Sequence, residues 1–239
     1  MVSSFIKSSR KKIDLDLSKS KLRKMLSPIF YAQYKLTVPI TQKYIHGNLI
    51  DIGCGSSPYK SLLVKNVAKY EGIDLIPYNE DVTYTGNILK NNPFDKNQFD
   101  CGISFEVLEH IPNSDEFLKQ IYKIIKPDGY FIISVPHLSR LHEEPLDFYR
   151  FTKYGLIEIF TRNGFDIVEI KPKGSLFSFL GHQISILFVS TFWQIPLLKY
   201  VILFLNFLLI TLPCFWVDRI FDKNGIFAQG YILVAKKMD

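Results

Sequence analysis

The sequence predicts an α/β fold: a doubly wound, mostly parallel sheet with helices on both faces. Three observations carry this. From residue 48 onward, short apolar segments of strand length alternate with segments whose apolar residues recur at helical spacing. Pro-Asp-Gly, Asn-Gly and similar breakers separate them. The first strand, at 48–52, runs straight into a glycine-rich turn that opens a helix, the junction where open parallel sheets take their ligands.

The elements follow in order. Residues 25–46 mix aromatics with two prolines and read as short helical pieces leading into the domain. NLIDI (48–52) is the first strand and 59–69 a helix. YEGIDLI (70–76), DVTYTGNI (81–88) and FDCGISF (99–105) are strands two to four. Asn113 or Ser114 caps a helix bearing Phe117, Leu118, Ile121, Ile124 and Ile125, which ends at Pro127-Asp128-Gly129. GYFIISV (129–135) is the fifth strand. Thr152 caps a further helix that stops at Asn163-Gly164. FDIVEIK (165–171) and GYILVAKK (230–237) complete seven strands.

Two segments stand outside this alternation. The net charge of +6 is concentrated in the first 24 residues, where Lys7, Arg10, Lys11, Lys12, Lys19, Lys21, Arg23 and Lys24 face only Asp14 and Asp16. Such a basic arm suits an anionic surface, a membrane better than nucleic acid, or is simply a solvated tail. Between Gly174 and Val217 the only formal charge is Lys199, and the stretches 176–198 and 200–217 are apolar and rich in Phe and Trp. A spanning helix needs ~20 apolar residues. Three readings stay open: a monotopic hairpin dipping into one leaflet, which is preferred, two true spans, or a buried lid or dimer interface. The organisation expected is a basic arm and helical lead-in over 1–47, the ligand domain over 48–173 with 229–239, and an apolar helical insertion over 174–228.

Three scattered cysteines without CxxC or a His pair at metal spacing predict neither disulfide nor metal. No signal-peptide pattern opens the chain, so the catalytic body is expected on the cytoplasmic side. The oligomeric state stays open.

The chemistry centres on Asp51-Ile52-Gly53-Cys54-Gly55-Ser56-Ser57-Pro58. In a dinucleotide fingerprint the third glycine would fall at Pro58, which offers no N–H to a pyrophosphate. That argues against NAD or FAD. The carboxylate of Asp51 suits a positively charged ligand, such as the ammonium of an amino acid. Asp74 follows 23 residues later, at the end of the second strand, where an acid accepts from ribose hydroxyls. Leu75 and Ile76 can wall an adenine ring, and the amide of Asn87, in Gly86-Asn87-Ile88, can read its amino group.

These strings, together with Phe99–Pro112, Lys126-Pro127-Asp128-Gly129-Tyr130 and GLIEIFTRNGF, resemble the class I S-adenosylmethionine (SAM)-dependent methyltransferases, in particular the ubiquinone/menaquinone-type group. The similarity covers roughly 45–172 and the last strand. It implies a Rossmann-like seven-stranded sheet whose last strand is antiparallel. It places the methionine end of SAM on Asp51, Gly53, Cys54 and Gly55, the ribose on Asp74, and adenine near Leu75, Asn87 and Ile88. Glu106 would face the methyl-transfer site. Ser57 departs from the usual third glycine and Asn87 from the usual Asp.

SAM is already activated, so such an enzyme mainly aligns donor and acceptor and sometimes removes a proton. The loop after the fifth strand, 136–151, resembles one found in a polysaccharide- and glycolipid-associated subgroup, and it carries His137, His142, Glu143, Glu144, Asp147 and Arg150. His142 or His137 is the candidate general base, and Asp147 with Arg150 a structural ion pair. The expected function is methyl transfer to a lipophilic or lipid-linked small molecule or glycan at a membrane surface. A catalytically silent SAM-binding or scaffold protein is the alternative.

Overall fold

A computed structural model describes residues 2–17, 20–196, 198–222 and 224–239. Lys19 of the basic arm lies outside the described residues. The chain divides into two compact units: residues 37–171 with 230–239, and residues 1–36 with 172–229.

The first unit is built on a seven-stranded sheet of order β3-β2-β1-β4-β5-β7-β6. Its strands are β1 (Asn48–Ile52), β2 (Lys69–Asp74), β3 (Tyr84–Thr85), β4 (Phe99–Phe105), β5 (Ile125–Pro136), β6 (Phe165–Lys173) and β7 (Gly230–Lys237). β1 to β5 pair in parallel, and β7 runs antiparallel to β5. Leu49, Ile50, Ile103, Phe131, Ile132, Leu233 and Val234 are all buried, as continuous apolar runs require in a sheet covered on both faces.

Four expected elements change their bounds. The helix at 59–69 shrinks to Lys60–Leu63, because Ala68 and Lys69 donate instead to the carbonyl of Gly47 and so start β2 early. The third strand keeps only two residues: Val82 closes a turn on Asn79, and an edge strand has one neighbour to hold it. Pro127-Asp128-Gly129 does not end a helix. The helix Ser114–Ile124 stops before it, and β5 begins at Ile125 with Asp128 at φ 61°. The helical pieces expected over 25–46 become a 3₁₀ turn at Lys21–Met25 and a single helix, Pro28–Tyr44, that runs through Pro39. A proline inside a helix costs ~3 kcal/mol. Burial of Ala32 before it and of Ile40 and Tyr44 after it opposes that cost.

Helices are numbered α1 (Val2–Leu17), α2 (Pro28–Tyr44), α3 (Lys60–Leu63), α4 (Ser114–Ile124), α5 (Lys153–Arg162), α6 (Leu176–Phe192), α7 (Leu198–Asn206) and α8 (Leu212–Phe221). α4 is capped by the Asn113 side chain, which accepts from Glu116 N–H at 3.1 Å, and α5 by Thr152, which accepts from Gly155 N–H at 3.0 Å.

The second unit groups the described N-terminal residues with the insertion, and α1 is folded with the insertion helices. Ile13 and Leu17 share a buried cluster with Leu26, Val189, Trp193, Ile202 and Leu203. Asp16 accepts from Trp193 Nε1 at 3.1 Å and Lys199 Nζ at 3.0 Å, and Asn206 donates to the Met25 carbonyl at 2.9 Å. α1 presents apolar positions along one side, so burying them needs a partner, which composition alone does not name. A π-turn at Phe207–Thr211 joins α7 to α8 into one helix of 24 residues, Leu198–Phe221.

Candidate active site

The order of the sheet reverses at β1: the chain proceeds to β2 on one side and later to β4 on the other. The crossovers diverge there and open a crevice at the carboxyl ends of the strands. The glycine turn after β1 sits at that point. Gly53 and Gly55 take φ +70° and +52°, a region that disfavours side chains. Gly53 lies against the Val107 side chain, whereas a Cβ on Gly55 would meet nothing within 4 Å. The turn is therefore closed behind and open in front. Gly53 and Cys54 donate to the Ile73 carbonyl at 2.8 and 3.3 Å, which ties the turn to β2.

Asp74 ends β2. Its carboxylate accepts from Gly55 N–H at 2.8 Å and Ile76 N–H at 3.2 Å, one bond on each oxygen. Two backbone donors thus fix an acid that still has lone pairs for further hydroxyls. Leu75 and Ile76 are 62% and 53% exposed, an apolar surface beside that acid. Gly86 follows β3 with open space at its Cβ position. The Asn87 side-chain oxygen accepts from Leu89 N–H at 2.9 Å, which fixes the amide and leaves its nitrogen and one oxygen lone pair to offer. The Ile88 side chain is buried in the core, so only its backbone is placed to meet a ligand.

Asp51 is buried, and the Tyr70 hydroxyl donates to it at 2.7 Å. Burial pushes its carboxyl up to about 7; Asp74 pushes the same way and the Tyr70 bond opposes. The Cys54 thiol is buried beside these two acids and is pushed up to about 12, first by burial. It is inert core, and only its backbone borders the turn.

The carboxyl ends of β4 and β5 carry the other candidates. Glu106 holds φ +57°, unusual for a residue with a side chain. Ser134 fixes it from both sides: its hydroxyl donates to Glu106 Oε1 at 2.7 Å, and its carbonyl accepts from Glu106 N–H at 2.9 Å. His137 and His142 are held in different surroundings. The His137 ring packs on Tyr231, with centroids 5.6 Å apart. His142 meets Glu109, with Nε2 3.6 Å from Oε1, and the ring of His110, with centroids 4.9 Å apart. The Glu109 carboxylate raises the His142 imidazole, while burial raises Glu109 itself.

Arg150 grips Asp147 with both terminal nitrogens at 2.5 and 2.6 Å, and it also donates to the carbonyls of Ser139 and Arg140. That fork shapes the 136–151 loop and holds the Asp147 carboxyl well below the usual range. Glu109 and His110 were missed in the sequence. They lie within the Phe99–Pro112 string, but nothing local shows that His142, 32 residues on, would face them.

Comparison with known proteins agrees with this geometry. Residues 40–170 match the methyltransferase domain family. A ubiquinone biosynthesis O-methyltransferase from Rickettsia bellii is 32% identical over 98 residues, a match covering 36% of this chain and 40% of that protein. The 24-methylenesterol C-methyltransferase 3 of Arabidopsis thaliana is 28% identical over 100 residues, covering 35% of this chain and 28% of its own. The matches thus span well under half the length of these curated relatives. Among solved structures, Haemonchus contortus phosphoethanolamine N-methyltransferase 2 with S-adenosyl-L-methionine superposes with a TM-score of 0.54 at 17% identity, covering 88% of this chain and 57% of that one. Geranyl diphosphate C-methyltransferase from Streptomyces coelicolor gives 0.56 at 10% identity, covering 85% and 76%. With more than half of its residues matched and the sheet order and glycine turn in place, the chain belongs to the methyltransferase domain family.

Proposed function

We propose that the protein is a SAM-dependent methyltransferase acting on a lipophilic or lipid-linked acceptor at a membrane surface. One observation carries the cofactor: an acid pinned by the backbone of the glycine turn, Asp74 on Gly55 and Ile76, with open space before Gly55 and Gly86. These residues fit SAM. Asp74 would accept from the ribose hydroxyls. Leu75 and Ile76 would cover the adenine, with the Asn87 amide nitrogen and the Ile88 backbone at its edge. Gly53, Cys54 and Gly55 would offer backbone to the methionine portion, and Asp51 would answer its ammonium. SAM supplies an electrophilic methyl group when bound. What the chain contributes is alignment of the acceptor and removal of a proton, for which His142 and His137 are the candidates, with Glu106, just beyond the carboxyl end of β4, facing the methyl-transfer site.

Two features support a lipophilic acceptor and membrane contact. The relatives are named for ubiquinone biosynthesis and sterol methylation, and one structural neighbour holds a geranyl thiolodiphosphate. The second is a packing inversion in the insertion. α6 buries Ser178, Gly181, Ser185 and Ser190, with Val189 the one large apolar residue among its buried positions, and exposes Leu180, Ile184 and Leu187. Leu198–Phe221 buries Asn206, Thr211 and Asp218 beside Ile202, Leu203 and Phe215, and exposes Val201, Phe204, Leu208, Leu209, Trp216 and Ile220. Small or polar residues inside and apolar residues outside are what helix contacts in lipid favour. Only 22% of the most apolar window of Leu198–Phe221 is buried, unlike a core helix, and its 24 residues suffice to cross a bilayer. α6, with 17 residues, is shorter than a usual span, which favours a hairpin that dips in over two full crossings.

Titration with SAM, S-adenosylhomocysteine and NAD tests the cofactor: binding of the first two and not the third is expected, and NAD binding alone would overturn it. A labelled-methyl assay on membrane extract then identifies the acceptor. Label in a lipid-extractable product is expected; transfer only to water-soluble products would refute the lipophilic acceptor.

A further inference from the structure

We infer that Glu109, His110 and His142 form a binding site for one divalent transition-metal cation. Each offers one ligand atom, and these atoms all lie within 4.8 Å of one another. Glu109 Oε1 is 3.7 Å from His110 Nε2 and 3.6 Å from His142 Nε2. Tetrahedral ligands 2.0–2.1 Å from a zinc ion sit about 3.3 Å apart, so small side-chain movements close the set on one ion.

The second observation is the state of Glu109. Its side chain is fully buried, and neither carboxylate oxygen has a hydrogen-bond partner. An ionised buried carboxylate without donors costs several kcal/mol, of the order quoted for unpaired charges, unless a proton or a cation answers it. The histidine Nε2 atoms stand 3.6 and 3.7 Å away, longer than a well-formed hydrogen bond. Their spacing instead leaves room for an ion between the three groups.

The surroundings are also those of metal-binding imidazoles. His110 Nδ1 is 2.7 Å from the Leu146 carbonyl, which accepts its N–H and leaves Nε2 as the lone-pair nitrogen facing Glu109. His142 Nδ1 lies 3.4 Å from Asp147 Oδ2 and 3.5 Å from Arg150 Nη2, beside the fork by which Arg150 holds Asp147. A carbonyl on one outer nitrogen and a carboxylate on the other are the partners that fix tautomer and ring orientation in metal sites. The exposed carboxylate of Glu143, 4.0 Å from His110 Nε2, is within reach as a fourth ligand. Two imidazoles and a carboxylate suit Zn²⁺, Co²⁺, Fe²⁺ or Mn²⁺ better than Ca²⁺ or Mg²⁺. Three protein ligands leave a coordination position for water or an acceptor oxygen; with the ion bound, His142 has no free ring nitrogen, and of the two candidate bases His137 is the one left.

The test uses the full chain, stripped with chelator and titrated with Co²⁺ in the absence of SAM. One equivalent should bind, with visible d–d absorption that Zn²⁺ abolishes by displacement. His142→Gln and His110→Gln should each weaken binding at least about tenfold, whereas His46→Gln should not. X-ray absorption on the Zn²⁺-loaded wild type, which needs no variant, should show two imidazole nitrogens at about 2.0–2.1 Å. No saturable Co²⁺ binding, or zinc without imidazole scattering, overturns the proposal. Because SAM is absent, a chain that takes the metal but not SAM would sink the methyltransferase reading and leave this one standing, and the reverse result would do the opposite.

Discussion

At the scale of single residues, the site rests on two acids in unlike environments. Asp74 is fixed by two backbone donors and left half-exposed, so it can serve hydroxyls directly. Asp74→Ala should weaken SAM binding by about 100-fold, since charge-assisted hydrogen bonds contribute ~1.5–3 kcal/mol each; isothermal titration measures it, and wild-type affinity would refute the ribose role. Asp51 is buried and its carboxyl titrates near about 7. The folded chain then holds that proton more tightly than the unfolded chain does. Its contribution to stability is present in acid and is lost as pH rises through about 7. A bound ammonium favours the ionised form, so SAM affinity should rise by about tenfold in all between pH 6 and 8, most of it below pH 7. Asp51→Asn should flatten both profiles. An unchanged pH dependence in that variant would show that another group titrates.

At the scale of elements, caps and close approaches decide where helices begin and how near they pack. Asn113 accepts from Glu116 N–H at the start of α4, and Asn113→Ala should cost about 1 kcal/mol in urea unfolding, the usual worth of such a cap. Gly181 is a different case. A Cβ there would meet Cys214 Sγ at 2.6 Å and Pro28 at 3.0 Å, so α6 passes α8 and α2 at a distance only glycine allows. Gly181→Ala should destabilise this unit by about 1–3 kcal/mol as overpacking does, and Cys214→Ala in the same chain should recover part of it. Thermal melts in detergent measure both, and additive losses would remove the steric explanation.

At the scale of the whole molecule, α6 and Leu198–Phe221 carry exposed apolar residues, on which the proposed membrane contact rests. Fractionated cells should retain it in membranes through high salt and release it with detergent. Release by salt alone would reduce the contact to electrostatic attraction by Lys11, Lys12 and their neighbours, which salt screens.

The sequence by itself determined the sheet and the cofactor turn. Strand length, helical spacing and breakers are local properties, and the turn from Asp51 to Gly55 with Asp74 beyond it is a pattern of adjacent residues. It located six of the seven strands to within a few residues and failed on the third, where an edge position with a single neighbour leaves two paired residues. Thr152 and Asn163-Gly164 bounded α5 as read, because caps are chosen by the residue that makes them. Tertiary structure alone decided the rest. It enlisted α1 into the insertion unit through Ile13 and Leu17, buried Ile88, turned the Asn87 side-chain oxygen onto Leu89, and gave His137 and His142 different neighbours. It brought His142 to Glu109 and His110 across a loop held by Arg150 on Asp147. Those contacts join residues far apart in sequence, and their energies depend on burial and on which groups remain unpaired, neither of which exists until the chain has packed.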